Sequence, residues 1–267
     1  QRIIEIEPNT NYVFSHIRND ALIASDHHVD DTVTFNEDDF PYLTAELGGG
    51  LQVTKHRRPI VSGNDVGAMS LTKLGSGVGL LGYYMYHGGS NPDSKLSTLQ
   101  ESRATGYSND LPEINYDFNA PIRQYGTISD NYREIRLLAY FLQDFGADLA
   151  VMSADIDPDF VKPGDTHTLR VSVRHDDTHG YVFVNNYQRR LTMDDHKDVV
   201  LKGKTKGEPV CFPKTDIASG EYAFYPYNMK LKNAVLVSAL ATPLCKLSCK
   251  DEDVYVFYGD KDPQFTW

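Results

Sequence analysis

Nowhere do the 267 residues run through the eighteen or so consecutive apolar positions that a membrane-spanning helix requires. Nor does a basic stretch lead into an apolar one at the start of the sequence, so neither a membrane span nor a secretory leader is expected. Positive charge is scarce: 26 Lys and Arg stand against 37 Asp and Glu, for a net charge of −11 and a pI near 5.2. Neutralising phosphates takes clustered cations, which argues against a nucleic acid or an anionic membrane as partner and leaves a neutral or cationic one. Cysteine is limited to Cys211, Cys245 and Cys249. The C-x₃-C spacing of the last two lacks a second ligand pair, so ordinary thiols are expected rather than a zinc site. Asn-x-Ser/Thr is absent, which weighs against a eukaryotic secreted origin and leaves bacterial cytoplasm, periplasm and exterior open, the last two slightly favoured. Phosphate-loop and dinucleotide-loop motifs are missing too, which argues against a nucleotide ligand.

What the sequence does contain is 40% hydrophobic and 11% aromatic residues, enough for one large core or two modest ones. The texture changes near Gly146. Before it, "YLTAEL" reads as a buried strand stopping at Gly48, and "SGNDVGAMSLTKLGSG" as a helix capped by Ser62 or Asn64 and ended by Gly75 or Gly77. "VGLLGYYMYHGG" reads as a second buried strand. Strand, helix, strand in that order is a βαβ unit, which favours parallel pairing. Residues 88–128 form a long excursion rich in Gly, Pro, Asn and Asp, a length that suggests binding. "SDNYREIRLLAYFLQDFG" is the clearest helix, with Ser129 as N-cap, Ile135, Leu138 and Leu142 on one face, and Gly146 as C-cap. From about 147 onward the period is two: "THTLRVSVRHDD" alternates Leu169, Val171 and Val173 against Thr168, Arg170, Ser172 and Arg174, and "GYVFVNNY", "AVLVSALAT" and "DVYVFYG" follow suit. That half is expected to be an all-β sandwich.

Chemistry concentrates where short strands run into glycines. Glu46 ends an apolar strand, the position that carries chemistry in parallel α/β folds. A carboxylate there is either used or paired, with Arg57 or Arg58 as candidate partners, and spacing alone favours neither. In "GYYMYHGGSNP", Tyr83 reads as core, whereas Tyr84 and His87 read as ligand-facing, because phenol and imidazole give directional hydrogen bonds and the glycines admit a ligand. "SDHHVDD" places Asp26, His27, His28, Asp30 and Asp31 together, but without metal-ligand spacing it reads as a solvated loop. "HRRP" at 56–59 reads as a structural ion-pair site.

These residues carry a resemblance. "YYMYHGGSNP" resembles the YMFHGGTNFG signature of glycoside hydrolase family 35, the retaining exo-β-galactosidases, and "NYDFNAPIRQYG" resembles the SYDYDAPLSEAG segment that follows it. "TAELGGG" stands in the place of that family's TEFWTGW, and "GYVFVNNYQR" is similar to a glycine-aromatic-asparagine strand of the family's β-domains. The resemblance implies that Glu46 is the nucleophile at the end of barrel strand seven and that Tyr84, on strand eight, hydrogen-bonds the galactose beside His87. Phe118 stands where the family commonly has a sugar-contacting Tyr, so that hydrogen bond is lost here. Ser90 and Pro92 also depart from the signature, which bears on sugar preference.

The retaining hydrolysis that the resemblance implies takes two carboxyls about 5 to 5.5 Å apart and no metal or organic cofactor. The family's second carboxyl is a Glu in an Asn-Glu pair on strand four, and the only such pair here, Asn36-Glu37, lies too close before Glu46 to be that strand. A complete (β/α)₈ barrel also takes roughly 200 to 250 residues. The expectation is therefore an α/β plus all-β chain. Residues 1–146 would be the C-terminal portion of a (β/α)₈ barrel, holding strands seven and eight and parts of five and six, and 147–267 a sandwich-like β-domain. Its partners would be a β-galactoside or related glycan and the missing N-terminal half of the barrel or an oligomer mate. Two other readings stand beside it: a non-catalytic carbohydrate-binding or assembly module, and a related glycosidase acting on a different β-glycoside.

Overall fold

The structure, a computed structural model, describes residues 8–18, 35–51, 53, 59–92, 95–96, 114–157 and 161–267. The "SDHHVDD" segment, Arg57, Arg58 and residues 93–94 and 97–113 of the 88–128 excursion lie outside these residues. In chain order the elements of the first half are β1 (Leu43–Gly48), α1 (Gly63–Gly75), β2 (Leu80–Tyr84), β3 (Gly89–Ser90), β4 (Asn115–Tyr116) and α2 (Asp130–Ala150). Then follow β5 (Ser153–Ile156), β6 (Arg170–His175), β7 (Gly180–Asn185), β8 (His196–Val199), β9 (Lys202–Gly203), β10 (Val210–Cys211) and β11 (Thr215–Ile217). The last are β12 (Tyr222–Lys230), β13 (Val235–Ala239), β14 (Thr242–Cys249), β15 (Glu252–Tyr258) and β16 (Phe265–Thr266).

Local signals act as the sequence implies. Ser62 caps α1 through a reciprocal box: its hydroxyl accepts from the Asp65 amide at 3.2 Å, and the Asp65 carboxylate accepts from the Ser62 amide at 2.9 Å. β1 and β2 pair in parallel, Leu43 opposite Leu80 and Gly48 opposite Tyr84, with a bulge between Thr44 and Leu47. Gly146, expected as a C-cap, lies inside α2. The apolar stripe of Leu138, Phe141 and Phe145 is continued by Leu149, and burying that last turn outweighs the poor helix propensity of one glycine.

The barrel expectation is overturned. Among the described residues, β1 pairs only with β2, and this two-stranded parallel sheet is the whole of the α/β component. Both helices instead lie on one face of a six-stranded antiparallel sheet, ordered β16-β13-β12-β7-β6-β5. The chain is mostly β, with strand seven and strand eight of a barrel replaced by an isolated pair. Sequence periodicity finds a helix's apolar stripe but not the surface that receives it. Here Leu71 and Leu74 of α1 and Leu138, Phe141, Phe145 and Leu149 of α2 pack on Tyr181 and Phe183 of β7 and Phe224 of β12. Phe224 stacks on Phe183 with centroids 5.2 Å apart and meets Phe141 at 4.5 Å. Burial of each such ring contributes about 1.5–3 kcal/mol. The strand-rich character expected beyond residue 147 is present, and the opposite face of the sheet carries a second core of Val182, Val184, Tyr225 and Tyr227. Leu201, Phe212 and Ile217, from the segment that holds the β8–β11 and β9–β10 ribbons, close over it.

β6 places its polar side chains inward. Arg170, Ser172 and Arg174 are almost fully buried beneath the helices, whereas Val171 and Val173 pack toward the second core. Arg174 serves the C-terminal ends of both helices, donating to the carbonyls of Leu74 at 2.7 Å and Leu149 at 2.6 Å and to those of Val78 and Met152. A cation at two helix C-termini meets unpaired carbonyls and the negative ends of two macrodipoles together. Burial pulls its pKa down to about 10, which still leaves it charged at neutral pH. Asn185, in the "NNY" of β7, donates to the Tyr12 carbonyl at 2.7 Å and to Thr72 Oγ1 of α1 at 3.2 Å. The helices are thus tied to the sheet by buried hydrogen bonds as well as by apolar contact.

Candidate functional site

Three segments meet beside the C-terminal ends of β1 and β2. Past Gly48, the Gly49 amide donates to the Tyr84 carbonyl at 3.1 Å, and the Leu51 amide donates to the Phe118 carbonyl at 2.6 Å. The glycines of "ELGGG" have a steric reason. A Cβ on Gly49 would overlap the carbonyl oxygen of Met85, and one on Gly50 the carbonyl oxygen of Phe118. Backbone from all three segments therefore touches backbone. Asn131, in the first turn of α2, locks the junction by donating to the carbonyls of Gly49 at 2.9 Å and Asn119 at 3.1 Å.

Rings gather on this frame. The hydroxyls of Tyr84 and Tyr116 are hydrogen-bonded at 2.6 Å, and Phe118 stands edge-on to Tyr84 at 5.7 Å and tilted against Tyr116 at 4.6 Å. Phe118 and Asn119 both adopt positive φ, 55° and 53°, which makes the turn that brings the Phe118 carbonyl to Leu51. Asp117 is fully engaged in holding that turn: it pairs with Arg123 Nε at 2.6 Å and accepts from the Gln124 amide at 2.7 Å. Asn115, Tyr116, Phe118, Arg123 and Tyr125 line a shallow cavity of about 470 Å³.

The expected site residues are brought together in part. Tyr84 and Phe118 are in ring contact. Glu46 is exposed in the bulge of β1, two residues before the Gly48–Tyr84 pair, and does not line the cavity. His87 is exposed, its Nδ1 turned to the neighbouring Gly88 carbonyl, while its backbone bridges to Ile122. Tyr83 joins the core: its hydroxyl donates to Ser70 Oγ of α1 at 2.9 Å, and burial pushes its pKa up to about 12. Asn36-Glu37 opens a short 3₁₀ turn, with Asn36 capping the Asp38 amide, and forms no strand end.

Tyr116 and Asn131 are members of this cluster that sequence reasoning passed over. Tyr116 sits two residues before Phe118 within the quoted segment, so only its hydrogen bond to Tyr84, which no spacing rule encodes, singles it out. Among the described residues no His, Cys, Asp and Glu group is placed to hold a metal, and no helix is long and apolar enough to cross a membrane. No protein-family model matches the chain, and no curated protein does either.

Proposed function

We propose that this chain carries the nucleophile and part of the sugar pocket of a retaining exo-glycosidase acting on terminal β-D-galactose. The observation that carries this reading is the convergence of "ELGGG", "YYMYHGG" and "NYDFNAP", the three segments that hold the resemblance, onto one backbone-to-backbone junction. Glu46 attacks the anomeric carbon; the glycosidic C–O bond breaks, and the leaving oxygen takes a proton from a second carboxyl about 5 to 5.5 Å away, contributed from outside this chain. The same carboxyl, now a base, takes a proton from water as that water cleaves the glycosyl ester and frees Glu46. Tyr84 holds a sugar hydroxyl, and the Tyr116 phenol, hydrogen-bonded to it, supplies the polar group that Phe118 lacks.

Incubation with 2-deoxy-2-fluoro-β-galactosyl fluoride tests the nucleophile, because fluoride departs without acid assistance. Peptide mass spectrometry should find the adduct on Glu46 and none in Glu46→Gln; a label on another carboxylate, or none, sinks the assignment. The non-catalytic reading has one observation in its favour, that the cavity walls include Tyr116, Phe118 and Tyr125 but not Glu46. Saturable galactoside binding without any label would move the conclusion to that module. Faster labelling by a different fluorosugar would mark another β-glycoside as the substrate.

A further inference from the structure

A second cavity, of about 330 Å³, opens between α1, α2, the start of β12 and the end of β15. Its volume falls at the small end of the range for ligand pockets. Leucines of both helices, Leu71, Leu137 and Leu138, make an apolar wall, and Tyr222 and Tyr258 bring phenol rings to it. Glu134 of α2 is the half-buried carboxylate, and the Tyr222 hydroxyl donates to its Oε2 at 3.0 Å. Among the described residues no Lys, Arg or His nitrogen lies within salt-bridge distance of Glu134. The pair occupies space left by a missing side chain: a Cβ on Gly67 of α1 would stand 2.6 Å from the Tyr222 oxygen and 2.9 Å from Glu134 Oε2.

The remaining charges reinforce the sign. Glu221, Asp260 and Asp262 also line the cavity, and the one cation among the described residues that line it, Lys261, is already bound to Glu221 at 2.6 Å. Burial, with the Glu134 charge second, holds the Tyr222 and Tyr258 hydroxyls far above the ordinary phenol range, so both rings stay neutral. A carboxylate drawn partly out of water and given only a neutral donor keeps an unmet attraction for a cation. Neutral tyrosine faces offer a cation a second attraction.

We infer that this cavity is a binding site for a small organic ammonium ion, its charged head on Glu134 and the tyrosine rings and its apolar body against the leucines. The site is separate from the glycosidase reading and does not depend on it. Calorimetry and ¹H–¹³C NMR of the intact chain with benzylammonium and, as its neutral near-isostere, benzyl alcohol provide the test. Benzylammonium should bind about tenfold more tightly than the alcohol and shift the Tyr222 and Tyr258 ring signals. Glu134→Gln should erase that preference while leaving alcohol binding unchanged. Asp260→Asn, at the exposed rim, should weaken ammonium binding about twofold and serves as the check if Glu134→Gln unfolds. Equal affinity for the two probes, unchanged preference in the variants, ring shifts elsewhere, or tighter binding of galactose than of benzylammonium at this cavity would each overturn the inference.

Discussion

The parallel pair β1–β2 and the six-stranded antiparallel sheet are built on opposite terms. β7 at the centre of the large sheet has every residue buried, with apolar cores on both faces. In β1–β2, Leu43 and Leu80 sit opposite one another and each is more than half exposed. Parallel strands are ordinarily covered on both faces. The pair keeps its shape through the α1 packing of Leu47 and Tyr83, the glycine contacts and Asn131 rather than through a sheet of its own. The stable part of the molecule is thus the helix-covered sheet, and the candidate site is an attachment to it.

Breaking the sheet side should cost most. Arg174→Ala leaves a cavity and strips partners from carbonyls at two helix ends, so urea unfolding should report a loss of about 3–5 kcal/mol; a loss under about 1 kcal/mol would mean those ends are served by water. On the site side, Gly50→Ala drives a methyl group into the Phe118 carbonyl. It should cost about 1–3 kcal/mol and also abolish fluorosugar labelling, and labelling at the parent rate would show that the junction does not shape the pocket. Tyr116→Phe deletes one hydrogen bond, for about 1 kcal/mol or less of stability, while slowing labelling about tenfold. Equal rates would remove Tyr116 from the proposed pocket.

The smallest effect concerns the β6–β7 turn. Burial by itself would raise the Asp176 pKa, but the His179 amide and the Thr178 hydroxyl and amide outweigh it and hold the carboxyl well below its usual range. A depressed carboxylate contributes stability that is fully present above its unfolded pKa and is lost as pH falls toward the folded one. The group is more than a third exposed, so screening keeps the effect small. Asp176→Asn should lower the neutral plateau slightly and converge with the parent curve in acid, so that the acid limb flattens by the same small amount; an unaltered acid limb would assign the pH dependence to other carboxylates.

Much of the local structure was legible because it depends on neighbours in sequence. The Ser62 cap, the helix after Ser129, the strand stopping at Gly48 and the parallel relation of β1 to β2 all follow from short-range patterns. Of the candidate site, the segments were legible but their geometry was not. Tyr116 becomes a site residue only because two positive-φ residues fold its segment back onto Leu51 and Tyr84, an event between residues more than thirty positions apart.

The sequence by itself determined the two helices and where they begin, the strands of "YLTAEL", "THTLRVSVRHDD", "GYVFVNNY" and "DVYVFYG", and the negative charge of the whole chain, since these rest on composition and on contacts a few residues apart; the long strand β12 was not among them. Only the tertiary structure decided that the helices cover an antiparallel sheet instead of a barrel, and that β6 turns its arginines inward. The reason is Arg174: an alternating strand can turn either row of side chains toward the helices, and the polar row faces them because two helix ends, brought together only by folding, present the carbonyls that one buried guanidinium can satisfy.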